Sequence, residues 1–304
     1  MKTIKGELIK RINRFTCQVK IGKRKEKAYL ANSGRLRELL EAQSKVMLTS
    51  KKGKLPYKLV AVKKDKIWVS TDAHLVNRFF EKEILKGRIP FLKGWNIESK
   101  ETRVNKSRID FVLKKGNKKM FCEIKSCTLV LNNIALFPDA PTMRGIKHIK
   151  ALINKRKEGY ESSIVFVVQR EDAEEFAPNS LTHPDFSKTL YNAIFEGVKI
   201  YLIITRFNPY RISLQMKLYK KLDILNILKN EYHIWRYPEV FISKLKKSKN
   251  RISIEMKGTT CHHCSFEENL FDFIGFAKER GVNFKINKIK SGPDSLKAEI
   301  LWRF

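Results

Sequence analysis

Ser107-Arg-Ile-Asp-Phe-Val-Leu-Lys-Lys-Gly-Asn-Lys-Lys-Met-Phe-Cys-Glu-Ile-Lys-Ser126 decides how the middle of this chain folds. Two runs of alternating character flank Gly116-Asn117, a pair suited to a two-residue hairpin loop. Pairing Lys115 with Lys118 carries on to set Asp110 opposite Glu123 and Arg108 opposite Lys125. Period-two alternation then puts those four residues on one face and Ile109, Phe111, Cys122 and Ile124 on the other. Directly opposed Cβ atoms stand about 4.5 to 5.5 Å apart, a distance at which two carboxylates repel. A hard divalent cation, Mg²⁺ or Mn²⁺, relieves that repulsion and accepts phosphate oxygens as further ligands. Lys125, on the same face, suits a role in steadying a hydroxide nucleophile or the charge that builds on phosphorus. The same spacing also fits a solvated charge ladder, in which Asp110 neutralises Lys125 and Arg108 neutralises Glu123.

Upstream, a helix is expected from about Ala73 to Lys86, followed by strands around Ile97–Val104, Arg108–Lys114 and Lys119–Cys127. Downstream, Ile146, Ile149 and Ile153 mark a helix from about Thr142 to Lys157, and Ile164-Val-Phe-Val-Val reads as a fully buried strand. A helix from Pro184 to Glu196 stops at Gly197 and leads into the strand that begins at Val198. This order gives a mixed sheet flanked by helices, so residues 73–222 form an α/β domain. Residues 1–72 carry short β-like runs at Glu7–Lys10, Phe15–Ile21, Val46–Thr49, Leu59–Val62 and Ile67–Ser70, which suit a five-stranded OB-like barrel. Residues 223–304 read as a separate β-α-β-β extension of unassigned role, with a capping box at Ser265–Glu268.

Sixty-three Lys and Arg against 31 Asp and Glu leave a formal charge of +32, which calls for a polyanionic partner. Nucleic acid is the leading candidate. The first 74 residues hold 20 of those cations against 6 carboxylates, so the β domain is expected to meet phosphates through Lys23, Arg24, Lys25, Lys51, Lys52 and Lys54. Apolar residues make up 42% of the chain, enough for ordinary cores. No stretch has the roughly 18 consecutive apolar residues of a spanning helix, and the charged N-terminus lacks a signal-peptide segment. With five cysteines in no disulfide-framework spacing, a reducing cytoplasmic setting is expected.

Beyond the hairpin, Arg144, Lys147 and His148 share a helical stripe that suits a phosphate clamp or an ordinary solvated face. Gly145 among them points to first-turn placement or a close backbone approach. Asp139 reads as a loop residue or a neighbour of the metal, and Asn32-Ser33-Gly34-Arg35 as a phosphate-binding turn or simply a tight one. Trp68 and Tyr29 are candidates for base stacking or for the core. Cys261-His-His-Cys264 offers two thiolates but no second pair at a familiar spacing, and is read as the loop before the Ser265 cap.

Asp110 and Glu123-Ile124-Lys125, on adjacent strands after a helix, resemble the PD-(D/E)-x-K nuclease signature. Ser107-Arg-Ile-Asp-Phe, Glu123-Ile-Lys-Ser-Cys-Thr-Leu and Phe137-Pro-Asp-Ala-Pro-Thr-Met-Arg-Gly-Ile-Lys-His more specifically resemble the sugar fermentation stimulation protein A family. Arg14-Phe15, Asn32-Ser33-Gly34, Asn77-Arg78, Phe176-Ala-Pro and His183-Pro-Asp185 fit it as well. The resemblance runs from about Met1 to Leu222. It implies an OB-like domain followed by a restriction-endonuclease-like domain that binds DNA, with Asp110, Glu123 and the backbone carbonyl of Ile124 as metal ligands and Lys125 as the catalytic lysine. Ile109 stands where the loose motif writes proline, a position that supplies no ligand. An acidic helper on the opening helix is left open between Glu81 and Glu83. The expected function is DNA binding with Mg²⁺-dependent phosphodiester hydrolysis of low sequence specificity. Alternatives are a DNA-binding regulator on a nuclease scaffold, or an RNA-processing nuclease. The sequence leaves the oligomeric state open.

Overall fold

The structure, a computed structural model, describes residues 3–236, 240–249, 251–258, 266–292 and 295–303. The Cys261–Cys264 segment and the Ser265 cap lie outside the described residues.

The N-terminal domain is an OB barrel built from β1 (Thr3–Asn13), β2 (Thr16–Ile21), β3 (Arg24–Leu30), β4 (Lys45–Ser50) and β5 (Tyr57–Lys64). It closes through parallel pairing of β3 with β5, and β6 (Ile67–Ser70) is added outside the closure, on β5. One strand therefore differs from the sequence expectation: β3 is the fifth barrel strand and Ile67–Ser70 is not. Arg24-Lys-Glu-Lys carries four charges in a row, which hides its alternation, yet Ala28 and Leu30 at its far end are fully buried.

The central domain runs α1 (Leu75–Leu85), β7 (Asn96–Val104), β8 (Ser107–Lys115), β9 (Lys118–Cys127), β10 (Leu129–Leu131), β11 (Ile134–Phe137), α2 (Met143–Lys157), β12 (Glu161–Val168), β13 (Glu175–Pro178), α3 (Pro184–Phe195), β14 (Lys199–Asn208) and β15 (Ser213–Leu222). Its mixed sheet has the order β15-β14-β12-β9-β8-β7, with β12 parallel to both β9 and β14. The apolar run in β12 divides its side chains between two cores. Val165 and Val167 join Val76, Phe79 and Phe80 of α1, while Ile164, Phe166 and Val168 join Ile149 and Leu152 of α2. A small sheet of β10, β11 and β13, too short to read in sequence, carries the chain from β9 to α2.

The two domains share a small core in which Met47, Val60 and Ala61 of the barrel meet Leu75 and Phe207, with Trp68 packed against them. Asp72 ties the junction: its carboxylate accepts from Lys58 Nζ at 2.7 Å and Arg78 Nη2 at 3.1 Å. Burial opposes its charge, but Lys58 and Arg78 outweigh that and hold its pKa below the ordinary aspartate value.

The C-terminal segment comprises α4 (Ile224–Arg236), β16 (Val240–Ser248), β17 (Arg251–Gly258), α5 (Phe266–Lys278), β18 (Asn283–Ser291) and β19 (Ser295–Arg303), its sheet ordered β16-β17-β19-β18. It is not the free-standing unit expected from the sequence. Ile227, Leu228 and Tyr232 of α4 belong to the same buried cluster as Phe176, Phe186 and Leu190 of the central domain. Glu231 is buried where the two meet, accepting from Ser187 Oγ at 2.9 Å and Tyr191 Oη at 2.7 Å on one side and from Arg280 Nη2 at 2.9 Å on the other. No described helix is long and apolar enough to cross a membrane.

Candidate functional site

The hairpin forms with the register its turn dictates, from Lys115 opposite Lys118 to Phe111 opposite Cys122. Gly116 takes φ of +54°, a left-handed conformation that a tight two-residue loop asks of its first position. The ladder then stops, and the expected opposition of Asp110 to Glu123 and Arg108 to Lys125 is not continued as backbone pairing. Instead the Asp110 side chain takes over from the backbone: its Oδ2 accepts the Ile124 N–H at 2.8 Å. Alternation breaks at the same point, since Ile109 packs with the α2 core while Phe111 packs with the α1 core. β8 thus peels from β9 at Asp110, opening a wedge at the sheet.

Asp110, Glu123, Ile124 and Lys125 line a cleft of about 430 Å³ between the two domains. Its barrel wall is made by Arg14, Phe15, Tyr29 and Asn32, and its far wall by Asp139, Arg144 and His148. Asn77 of α1 donates to Asp110 Oδ1 at 2.9 Å. Burial, and then the neighbouring Glu123 charge, push the Asp110 carboxyl up to about 6.

Glu123 is only 2% exposed. Its Oε1 accepts from Lys125 Nζ at 2.6 Å and from His148 Nδ1 in a short contact. Burial would raise its pKa, but Lys125 and His148 together hold the carboxyl below its ordinary value. Arg144 Nε donates to His148 Nε2 at 3.3 Å, so the ring is held between Arg144 on one side and Glu123 and Lys125 on the other. Among the described residues, Glu123 Oε2 is buried with no hydrogen-bond partner. An unpaired carboxylate oxygen in a buried site is costly, and this one lines the same cleft as a second carboxylate. The donor set of Asp110, Glu123 and the Ile124 carbonyl suits a hard cation completed by water and phosphate. Among the described residues no third His, Cys, Asp or Glu completes a metal cluster, so such an ion would keep several non-protein ligands.

Other expected residues are placed differently. Arg108 is exposed and paired with Glu101 at 2.8 Å, away from the cleft. Lys147 is exposed on α2 and does not line the cleft, whereas His148 is buried against Glu123 and is no part of a solvated stripe. Lys23, Arg24, Lys25, Lys51, Lys52 and Lys54 are all exposed, and Lys51 Nζ lies 5.3 Å from the Tyr29 ring centre at the cleft. Of the two glutamates considered on α1, Glu81 pairs with Lys100 at 2.8 Å and Glu83 faces Arg88 at 3.9 Å. Neither lines the cleft; α1 sends Asn77 there instead. Asp139 Oδ2 accepts the Leu36 N–H at 2.7 Å, joining the domains, and Asn32 Oδ1 accepts the Gly34 N–H at 2.8 Å within a tight turn. Gly145 combines both readings of its position. It lies in the first turn, donating to Thr142 Oγ1 at 3.0 Å, and a Cβ there would stand 3.2 Å from the Phe186 ring.

Two family models match the chain, one described as the sugar fermentation stimulation protein RE domain over residues 74–211 and one as the SfsA N-terminal OB domain over residues 9–71. Curated relatives named sugar fermentation stimulation protein homolog include one from Moorella thermoacetica, 39% identical over 69% of this chain and 93% of the relative. Another, from Methanothermobacter thermautotrophicus, is 37% identical over 67% of this chain and 88% of the relative. A solved structure described as Pyrococcus furiosus SfsA in complex with Ca²⁺ superposes with a TM-score of 0.69 at 29% identity, covering 74% of this chain and 98% of that one.

Proposed function

This chain belongs to the sugar fermentation stimulation protein family, and from that premise we propose that its cleft hydrolyses phosphodiester bonds of nucleic acid with a divalent metal, Mg²⁺ or Mn²⁺. The observation that carries the reading is the buried, unpartnered Oε2 of Glu123, lining the same cleft as Asp110. The Ca²⁺ complex of the Pyrococcus furiosus relative supports a divalent ion on this scaffold.

Asp110, Glu123 and the Ile124 carbonyl would hold the ion, which supplies Lewis-acid polarisation of a phosphoryl oxygen and a water of lowered pKa. Asn77 and the Ile124 N–H orient the Asp110 carboxylate so that its remaining lone pairs stay available. His148 performs the same service for Glu123. Lys125 is anchored on Glu123 Oε1, which sets its ammonium beside the carboxylates to steady a nucleophilic oxygen and the charge that develops on phosphorus. Arg144, exposed at the rim, and Lys147 beyond it on the same helix would grip the phosphate backbone. Phe15, 44% exposed with the Arg14 guanidinium 5.4 Å from its ring centre, offers a base a stacking face on the barrel side. Backbone contacts of this kind carry no sequence information, so low specificity follows.

The test is cleavage of labelled single-stranded DNA, duplex DNA and RNA in Mg²⁺ and Mn²⁺. Asp110→Asn, Glu123→Gln and Lys125→Ala should each abolish cutting, while Glu7→Gln on the exposed side of the barrel should cut normally. If the wild type cuts and all three variants cut as well as Glu7→Gln, the mechanism is wrong. Binding without cutting in either metal would leave the protein a nucleic-acid binder on a nuclease scaffold.

A further inference from the structure

Residues beyond 222 lie outside both family matches, the later of which ends at 211. Their sheet has two faces of opposite character. One is apolar: Ile252, Ile254, Met256, Leu296 and Ile300 are buried in the same cluster as Phe273 and Ala277 of α5. The other is exposed and basic. Its registers set Lys246 beside Ser253, Ser253 beside Glu299 and Glu299 beside Lys288. One step along, Lys244 stands beside Glu255, Glu255 beside Lys297 and Lys297 beside Lys290.

Two carboxylates do not balance this face. Glu255 is shared by Lys244 at 3.3 Å and Lys257 at 3.5 Å, and Glu299 is reached by Arg251 at 3.5 Å. Lys246, Lys288 and Lys290 are exposed and make no ion pair among the described residues. General lysine richness does not explain the pattern. On the helical side of the same segment the exposed residues of α5 and its end include Glu267, Glu268, Asp272 and Glu279. Lys278 is exposed there as well, but carboxylates outnumber cations on that side, whereas cations outnumber carboxylates on the sheet face.

We propose that the exposed face of the β16-β17-β19-β18 sheet is a second nucleic-acid-binding surface, which holds the phosphate backbone of a duplex. Charge complementarity identifies the occupant as a polyanion. The side-chain inventory identifies a duplex. Surfaces that hold single strands stack bases on rings, whereas the rings of this sheet lie mostly on its inner side. Phe284 packs 5.9 Å from Phe273, and Trp302 is buried. Phe241, at one end of β16, is the exposed ring among the described residues of these strands. The inference rests on the reading of this protein as one that binds nucleic acid, and is independent of whether the cleft cuts it.

The test uses the full-length chain with EDTA present, so that hydrolysis plays no part, and measures binding of labelled 30-base-pair DNA and RNA duplexes across a salt series. Replacing Lys246, Lys288, Lys290 and Lys297 together by Gln should weaken duplex binding about tenfold or more. It should also flatten the slope of log affinity against log salt by about 0.9 for each phosphate that is no longer neutralised. The matching replacement by Arg, which keeps the charge, should restore both. Unchanged affinity and slope in the Gln variant, with a wild type that binds, would overturn this inference alone. So would tighter binding of a single strand than of a duplex, or a Gln variant that loses anionic vesicles and not duplex. A wild type that binds no nucleic acid at any salt would sink the nucleic-acid reading itself, and this inference with it.

Discussion

A carboxylate that accepts a backbone N–H from the next strand, as Asp110 does from Ile124, is aimed by the sheet itself, and among the described residues the side chain that trims its aim is Asn77. Asn77→Ala should therefore lower Mg²⁺ or Mn²⁺ affinity about tenfold or more, as loss of a partner behind a metal ligand generally does. Calorimetric titration of the ion reads this without reference to activity. Glu81→Gln, whose carboxylate faces Lys100, should leave the titration unchanged. At this scale the sequence, through a turn plus period-two alternation, groups Asp110, Glu123 and Lys125, which do line one cleft, but also Arg108, which does not. It could not show that the ladder ends at Phe111, since a strand that peels away keeps the same residue pattern as one that stays paired. Nor could it show His148 against Glu123, a contact across 25 residues that only the packing of α2 on the sheet creates. Asn77 stands in the Asn77-Arg78 pair that fits the family resemblance, but as a polar residue on α1 it gave no sign that it would meet Asp110.

Helix α2 begins at a Thr142 cap that is also a packing point, and Gly145 fits between that cap and Phe186. Ala is the better helix former by about 1 kcal/mol. Here its Cβ would meet Thr142 Cγ2 at 2.8 Å and Phe186 at 3.2 Å, and overpacking of that kind costs about 1 to 3 kcal/mol, with the cap at risk besides. Gly145→Ala should thus lower the melting temperature; a rise would show that the ring and cap yield freely. Between α4 and β16, His233 Nε2 accepts the Ile242 N–H at 2.9 Å, and burial first, then Lys229, depress its pKa to about 4. The unfolded chain binds this proton at about 6.5 and the folded one does not, so unfolding takes up a proton between those values. Stability should fall as pH drops from about 6.5 to 4, by up to about 3 kcal/mol from this group. Denaturant melts of His233→Gln should show a shallower decline over that window, and an identical slope would remove His233 from the account. The long, strongly periodic elements α2, α3, β9 and β12 were legible for the reason that burial on one or both faces writes itself into sequence. β3, β15 and β16 were not, because lysines on their solvent sides blur the alternation.

Across the whole molecule, the segment after Leu222 reads in sequence as a unit of its own, whose removal should leave some cleavage intact. The structure argues the reverse. Cutting there would bare the apolar surface that Ile227, Leu228 and Tyr232 cover, and would take from Ser187 and Tyr191 the Glu231 carboxylate to which they donate. A chain ending at Leu222 should aggregate or melt well below the full protein in a thermal scan. Equal melting temperatures would show that the central core is complete without α4. Glu231→Gln, which keeps the shape but leaves Arg280 to the exposed Glu279 at 3.5 Å and the Phe276 carbonyl, should cost about 3 kcal/mol or less by urea denaturation, as breaking one side of a buried ion pair does. The contiguity of that core also orders events in time. Chains emerge N-terminus first, so the barrel, complete by Ser70, can be folded before Asp110 leaves the ribosome. Asp110, Glu123, Lys125 and His148 then appear together, while the helix that seals the core beneath α3 is still unmade. A nascent chain therefore carries the residues of the cleft before it carries α4, whose side chains complete the buried cluster against which α2 packs.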